Sequence, residues 1–356
     1  MDLYDLICES AFSALKLQDS STGIMPAGNN GPHGDAETPV RNTSHWLITF
    51  SKAFEISGDD RFKHAAQLAS SYLLSHHARP MSYSFWHRKN PKKDSCNGLI
   101  GQAWTLDALI TAAPIIETPQ LISVAKEVFL LHPFNFEIGL WQNVSVDGVH
   151  LPIHLTFNQQ LWFGAIGATL SKYDAEVKDS VERFLETILF HLDIAPNGLI
   201  MHSVAMRNFS YKKQIMRWIR EPKNKSHNQD IYERSLGYHS FNLYAFAILK
   251  ECYPNHSIWK SNTIAKSISC IEDKTFIRNL QANKYSFSYN PTGLEIPFVL
   301  KTFKPGTIKE QESWLQKQLS DHFDFESNLM GRSPSDPHTL AARLCEAKRL
   351  DNLKVS

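Results

Sequence analysis

Apolar residues recur at three- and four-residue spacing along almost the whole chain, interrupted by polar loops rich in glycine and proline. Residues 3–17 place Leu6, Ala11, Ala14 and Leu15 near helical spacing before a polar run ends the pattern. Residues 40–56 carry Trp46, Phe50 and Ala53 on one stripe and stop at Gly58. Asp59 and Asp60 then cap a helix over 61–76, and so short a turn makes the two helices antiparallel neighbours. The same phrase returns. Loop-led helices are expected over 97–113, 155–170, 238–252, 292–303 and 337–348. Partner helices follow over 120–131, 175–192, 257–271 and 309–322, and the last loop-led helix packs back on the N-terminal one. A strand-like stretch at 284–289 is too isolated for a sheet-based fold.

The loop-led helices start near residues 41, 97, 155, 238, 292 and 337, roughly the spacing of helical repeats. Twelve helices as six hairpins can close into inner and outer rings or extend as an open solenoid. Composition favours closure. Gly98, Gly101, Ala103 and Ala108, like Gly164, Ala165, Gly167 and Ala168, sit in loop-led helices that are apolar all round, while their partners carry charge. The expectation is all-α: a single (α/α)6 barrel over 1–356, with a few short strands in its loops. The one long gap, before residue 238, predicts a lid insertion over 194–237.

A net charge of +1 in 356 residues argues against a nucleic-acid footprint. Cys8, Cys96, Cys252, Cys270 and Cys345 are scattered without a CxxC, so neither a disulfide framework nor a zinc site is expected. No apolar run reaches membrane-spanning length, and the N-terminus carries acids where a signal peptide needs bases. A reduced, cytoplasmic protein without cofactor or metal follows, its oligomeric state left open. HExxH, GxSxG, GxGxxG and Walker sequences are absent.

In a barrel of this kind the inner helices run parallel, so their N-termini share one rim. Residues 28–46, GNNGPHGDAETPVRNTSHW, dominate that rim: turn chemistry first, then Thr38 placed to cap and Pro39 at the first helical position. Asp35 and Glu37 precede Arg41 and His45, which lie four residues apart on one face. Trp46 follows. At the other inner starts stand Asn97, His154 with Asn158, Tyr238 with His239, Asn290 with Glu295, and Asp336. The insertion holds eight cations, Arg207 to Arg234, against Glu221, Asp230 and Glu233, with Tyr211, Trp218 and Tyr232 interleaved. Such a stretch suits an acidic saccharide. Glycoside hydrolysis needs one carboxyl as proton donor and another as base or nucleophile, roles open to Asp35, Glu37, Glu233 and Glu295. Epimerisation or elimination needs a base beside a carbon acid, for which His45, His154, Tyr238 and His239 are candidates. Arg41, His45, Trp46, Asn97, His154, Asn158, Arg234, Tyr238 and Asn290 are the expected substrate-binding set. Trp86, Trp104, Trp141 and Trp162 are further candidates for a sugar-lined wall.

The phrases ETPVRNTSHWLITFSKAFEISGDDRF, FWHRKNPKKDSCNGLIGQAWTLDAL, FNQQLWFGAIGA and GYHSFNLYAFA resemble the six-hairpin glycosidase superfamily. Its members include unsaturated glucuronyl hydrolases, N-acylglucosamine 2-epimerases and the helical domain of glucuronyl C5-epimerases. The likeness is nearest to members from polysaccharide or glycan biosynthesis clusters. It implies the barrel and a carbohydrate substrate. Asp35 and Asp94 occupy places suited to the hydrolases' aspartate pair, and His239 with Glu295 is similar to the histidine–glutamate pair of the 2-epimerases. The expected activity is carbohydrate-active, most simply a glycoside hydrolase on a uronic-acid-containing saccharide. A sugar epimerase or polysaccharide lyase, and a non-catalytic glycan-binding module, are the alternatives.

Overall fold

The computed structural model describes residues 1–205, 225–333 and 335–355. Helix α1 (Leu3–Ala14) is followed by five hairpins that each open on an inner helix: α2 (Val40–Ser57) with α3 (Asp60–Leu73), α4 (Gly98–Ala112) with α5 (Gln120–Leu131), and α6 (Phe157–Leu170) with α7 (Ala175–His191). After α8 (Lys225–Gly237) come α9 (His239–Cys252) with α10 (Asn262–Ser269). Helix α11 (Lys274–Gln281) then precedes the pair α12 (Thr292–Phe303) and α13 (Ile308–His322). The sixth inner element is α14 (Pro337–Ala342), continued as a 3-10 helix over Arg343–Arg349. Neighbouring inner elements pack in the order α2, α4, α6, α9, α12, final segment, and back to α2, so the ring closes. Its sixth outer partner is α1: Asp2 bridges Lys354, and the Leu3 amide donates to the Leu353 carbonyl at 2.9 Å.

Inner and outer helices differ as their sequences require. Along α4 and α6 nearly every side chain is buried, whereas α3, α7 and α13 bury one face only. Small residues set the spacing between the layers. A methyl group on Gly164 would lie 2.5 Å from the Phe184 ring, and one on Gly167 would lie 2.5 Å from Phe129. Phe129, Phe163, Trp141 and Phe184 stack there in one aromatic block, which places Trp141 in the core. Trp162 is likewise core, with its indole N–H donating to the Phe241 carbonyl at 3.0 Å.

Departures from the sequence-based reading have local causes. The final helix tightens to 3-10 at Arg343, and the 257–271 partner is one helix flanked by two 3-10 turns. Residues 284–289 form turns, not a strand, because the Ser286 hydroxyl satisfies the Leu280 carbonyl (2.6 Å). An antiparallel sheet, β1 (Phe134–Asn135), β2 (Leu140–Val144) and β3 (His150–Ile153), fills the loop before α6. Phe134 pairs with Trp141 and Gln142 with Ile153. The Thr38 hydroxyl donates to the Trp86 carbonyl and α2 has no side-chain cap. Asp59 and Asp336 do cap their helices, accepting from the Arg61 and Thr339 amides. Of the expected 194–237 insertion, residues 206–224, including Arg207, Tyr211, Lys212, Lys213, Arg217, Trp218, Arg220 and Lys223, lie outside the described residues.

The barrel axis is polar. Arg343, fully buried, donates to Glu295 at 3.1 Å, to Glu346 at 3.0 Å and to Asn290 at 3.3 Å. Burial pushes both carboxyls upward, and one guanidinium between them opposes it. Replacing Arg343 by Met removes the guanidinium that Glu295 and Glu346 share and is expected to cost about 3–5 kcal/mol in urea unfolding above about pH 8, where Glu295 is ionised. That loss should shrink towards acidic pH, where both carboxyls are neutral.

Candidate active site

The loops feeding the inner helices are tied to one another at the rim. Glu37 bridges Arg88 between the α2 and α4 loops, and Thr156 bridges Ser203 between the α6 loop and the chain leaving α7. Asp336 Oδ2 accepts from the amides of Asn29 (2.8 Å) and Gly31 (3.1 Å), fastening the α2 loop to α14. Gly31 has φ +53°, and a Cβ there would meet the Tyr289 ring at 2.3 Å, so the close approach needs glycine. Asn97, at φ 56°, and Gly98, at φ 58°, turn the chain into α4. A Cβ on Gly98 would strike the Gln159 side chain.

Inside this rim lies a cavity of about 190 Å³. Its walls are aromatic on one side, with Trp104, Tyr238, Phe241 and Tyr289, and polar elsewhere, with Asn30, Asn97, Asn158 and Gln159. Three cations (Arg88, Lys93, Arg234), three imidazoles (His33, His154, His202) and one carboxylate (Asp35) face it among the described residues. Asn97 Nδ2, Trp104 Nε1, Asn158 Oδ1 and His202 Nδ1 are buried there without a protein partner, hydrogen-bonding capacity aimed at whatever enters. A larger groove of about 440 Å³, outside the barrel between Leu17, Trp46, Leu329 and Ala341, is mostly apolar and lacks such convergence.

Burial sets the protonation states. It disfavours the charged form of Asp35, yet Lys93 (2.7 Å), Asn90 (2.9 Å) and Asn30 (3.2 Å) donate to that carboxylate and hold it below its ordinary range. Asp35 is therefore ionised. Burial, reinforced by Arg234 and Lys93, lowers His33 to about 3, and its Nε2 lies 2.9 Å from the Tyr238 hydroxyl. Burial also lowers His154, and with Arg234 takes His202 to about 4. All three imidazoles are neutral at pH 7. Tyr238 is held well above its ordinary value by burial and by Tyr289.

Of the residues expected from sequence, Asp35, Asn97, His154, Asn158, Arg234 and Tyr238 line the cavity. Arg41 sits directly behind its wall, its guanidinium 4.0 Å from the Trp104 ring centre and 5.4 Å from that of Tyr289. Arg41 also holds Glu37 at 3.3 Å, with both side chains wholly buried. Asn30 connects this pair to the site: its Oδ1 accepts from Arg41 (3.0 Å) and Tyr289 (2.7 Å), and its Nδ2 donates to Asp35.

The remaining candidates point elsewhere. His45 packs edge-on to Trp104 with Cys345 Sγ at 3.4 Å from Nδ1, on the barrel axis. Trp46 turns to the outer apolar groove. Glu295 is engaged by Arg343 and the Ser240 hydroxyl (2.6 Å), and Asn290 donates to the Gly237 and Tyr285 carbonyls. His239 accepts from the Ile200 amide (3.1 Å) and meets the Ser267 carbonyl (3.0 Å), facing the outer layer. Glu233 adjoins Arg234 on α8, about 100° round the helix, and so enters an outer groove with Arg278 and Asn283. Sequence reasoning missed His33, Arg88, Lys93, His202 and Gln159. His33 lies inside the 28–46 stretch, and Arg88 and Lys93 inside HRKNPKKD, where a charge run reads as solvated surface.

The chain is 41% identical over 369 residues to archaeal glycosylation protein Q of Haloferax volcanii, covering 99% of this chain and 98% of that protein. It belongs to that family. Among solved structures, cellobiose 2-epimerase from Spirochaeta thermophila matches with a TM-score of 0.64 and 16% identity, over 94% of this chain and 92% of that one. An unsaturated glucuronyl hydrolase specific for heparin matches at 0.62 and 14%, over 98% and 95%. At these identities what the family member shares with both is the fold, and the expected (α/α)6 barrel stands. No protein-family model matches the chain.

The neutral imidazoles of this family member give it an acid-labile fold. A histidine whose folded value lies near 3 or 4 takes up its proton in the unfolded chain first, at about 6.5. His33, His87, His132, His202 and His239 are all depressed to about 3 or 4 by burial. The histidines' contribution to stability is thus complete above about pH 6.5 and falls as the pH drops towards 4. Melting temperature against pH should show this decline well above the carboxylate range, and His33→Gln should flatten part of it.

Proposed function

We propose that the protein is a carbohydrate-active enzyme of glycan biosynthesis that binds an acidic saccharide in the rim cavity and moves a proton at a sugar carbon, as an epimerase or isomerase. The observation that carries this reading is the set of groups around the cavity: one ionised carboxylate, three neutral imidazoles and three cations beside an aromatic wall. Arg88, Lys93 and Arg234 suit a substrate carboxylate, and Trp104 and Tyr289 suit the face of a sugar ring. The relative's name places it in glycosylation, and the neighbours include both epimerase and hydrolase.

Two-carboxylate hydrolysis needs a protonated carboxyl beside the leaving oxygen. Asp35 is the sole carboxylate lining the cavity among the described residues and is held ionised, which disfavours that role. Proton abstraction asks less of the site. His33, neutral and hydrogen-bonded to the Tyr238 hydroxyl, accepts the proton of a carbon next to a carbonyl or carboxylate once a bound substrate carboxylate offsets Arg234 and Lys93 and restores its basicity. The cations stabilise the negative charge that develops on that group. The His33 imidazolium so formed returns that proton, exchanged with solvent, to the same or the neighbouring carbon, while His154 and His202 hydrogen-bond the substrate as neutral rings. Asn97, Asn158 and Tyr238 position the sugar hydroxyls, with Arg41 and Glu37 bracing the wall. The hydrolytic reading keeps one supporting feature, since an ionised Asp35 could act as base towards water. Five free thiols suit a cytoplasmic site of action.

Incubation with glucuronate-containing saccharides in D2O separates the readings. Deuterium is expected at one sugar carbon by NMR, falling about 10²-fold or more in His33→Gln. New reducing ends without deuterium would overturn proton transfer in favour of hydrolysis, and binding with neither would favour a glycan-binding module.

A further inference from the structure

Beside the cavity a second depression, about 380 Å³ in volume, runs along residues 86–95. Arg88 and Lys93 line both, so the two spaces share a wall. Resting on the reading that an acidic sugar fills the cavity, we propose that this groove binds the adjoining sugar unit, making the substrate an oligosaccharide of two or more units. The groove is lined further by Trp86 and Lys89 and by Ser145 and Asp147 from the turn between β2 and β3.

The chemistry is that of a sugar subsite. Trp86 is half-buried and its indole N–H donates to the Arg88 carbonyl at 2.7 Å, which fixes the ring as an apolar platform for the C–H face of a pyranose. Around it stand an ammonium donor at Lys89 and a carboxylate acceptor at Asp147, groups of both polarities that hydroxyls can bridge. Lys89 is exposed and its ammonium has no partner among the described residues. Arg88 Nε, at the shared wall, is buried and likewise unpartnered. Asp94 is taken up by Arg88 at 3.6 Å and Asp147 by the Ser145 hydroxyl, so cations and carboxylates nearly balance. Such a balance suits hydroxyl-rich sugar better than a bare anion. The loop is also braced: the Lys89 amide donates to the Ala36 carbonyl and the Arg88 amide to that of Ser95, both at 2.9 Å. Bracing of this kind lowers the ordering cost of binding.

Calorimetric titration of the full chain with glucuronic acid and with glucuronate-terminated disaccharides tests the assignment. The disaccharide of the correct linkage should bind about tenfold or more tighter than the monosaccharide. Lys89→Ala and Trp86→Leu should each remove most of that gain, with monosaccharide affinity as the control that the cavity is intact. Trp86→Phe, which keeps an aromatic platform, should retain most of it. Monosaccharide binding with no gain for any disaccharide, or a gain untouched by Lys89→Ala and Trp86→Leu, would overturn the groove alone. Failure of wild type to bind either sugar would overturn the acidic-saccharide reading and the groove with it.

Discussion

Each hairpin of this protein returns the chain to the end from which it set out, so every inner helix begins on the same rim. That constraint converts a sequence of ordinary amphipathic helices into a site. Loops that would otherwise be scattered turns become neighbours, and they hold one another through short β-bridges such as Glu37 with Arg88. Closure depends on the last inner segment meeting the first. Asp336 makes that junction, capping α14 while gripping the Asn29 and Gly31 amides. The polar axis below, with Arg343 between two carboxyls, fixes the pairing of the final segment with α12.

The same closure sets the chemistry. Inside the rim, burial disfavours charge, so imidazoles are neutral and Tyr238 keeps its proton. Only groups with partners stay ionised there, and Asp35 does so through Lys93, Asn90 and Asn30. Asn30 gives the site a single mechanical hub. One side chain receives Arg41 and Tyr289 and donates to Asp35, so packing in the wall and placement of the carboxylate are coupled.

Much of the fold was legible because helix burial writes its period into the sequence. The apolar α4 and α6 and the charged outer helices declared their layers. The rim was legible as a set, and Asp35, Asn97, His154, Asn158, Arg234 and Tyr238 fall on the cavity. What sequence could not tell was the direction of each side chain within a turn. Arg234 enters the cavity and Glu233 leaves it; Tyr238 faces the site and His239 the outer layer. Both pairs are adjacent in sequence and alike in polarity, so hydropathy had nothing to separate them. Long-range partners were equally hidden. Glu295 reads as catalytic from its place at a helix start, but Arg343, 48 residues on, engages it. His33 carries no sequence signal, because a histidine in a glycine-rich turn has no period at all.

A crystal soaked with glucuronate tests the central claim most directly. The account predicts sugar density against Trp104 and Tyr289, with its carboxylate within about 3 Å of Arg88, Lys93 or Arg234. Density confined to the outer groove beside Trp46 or to the one beside Glu233, with the rim cavity holding solvent alone, would contradict it.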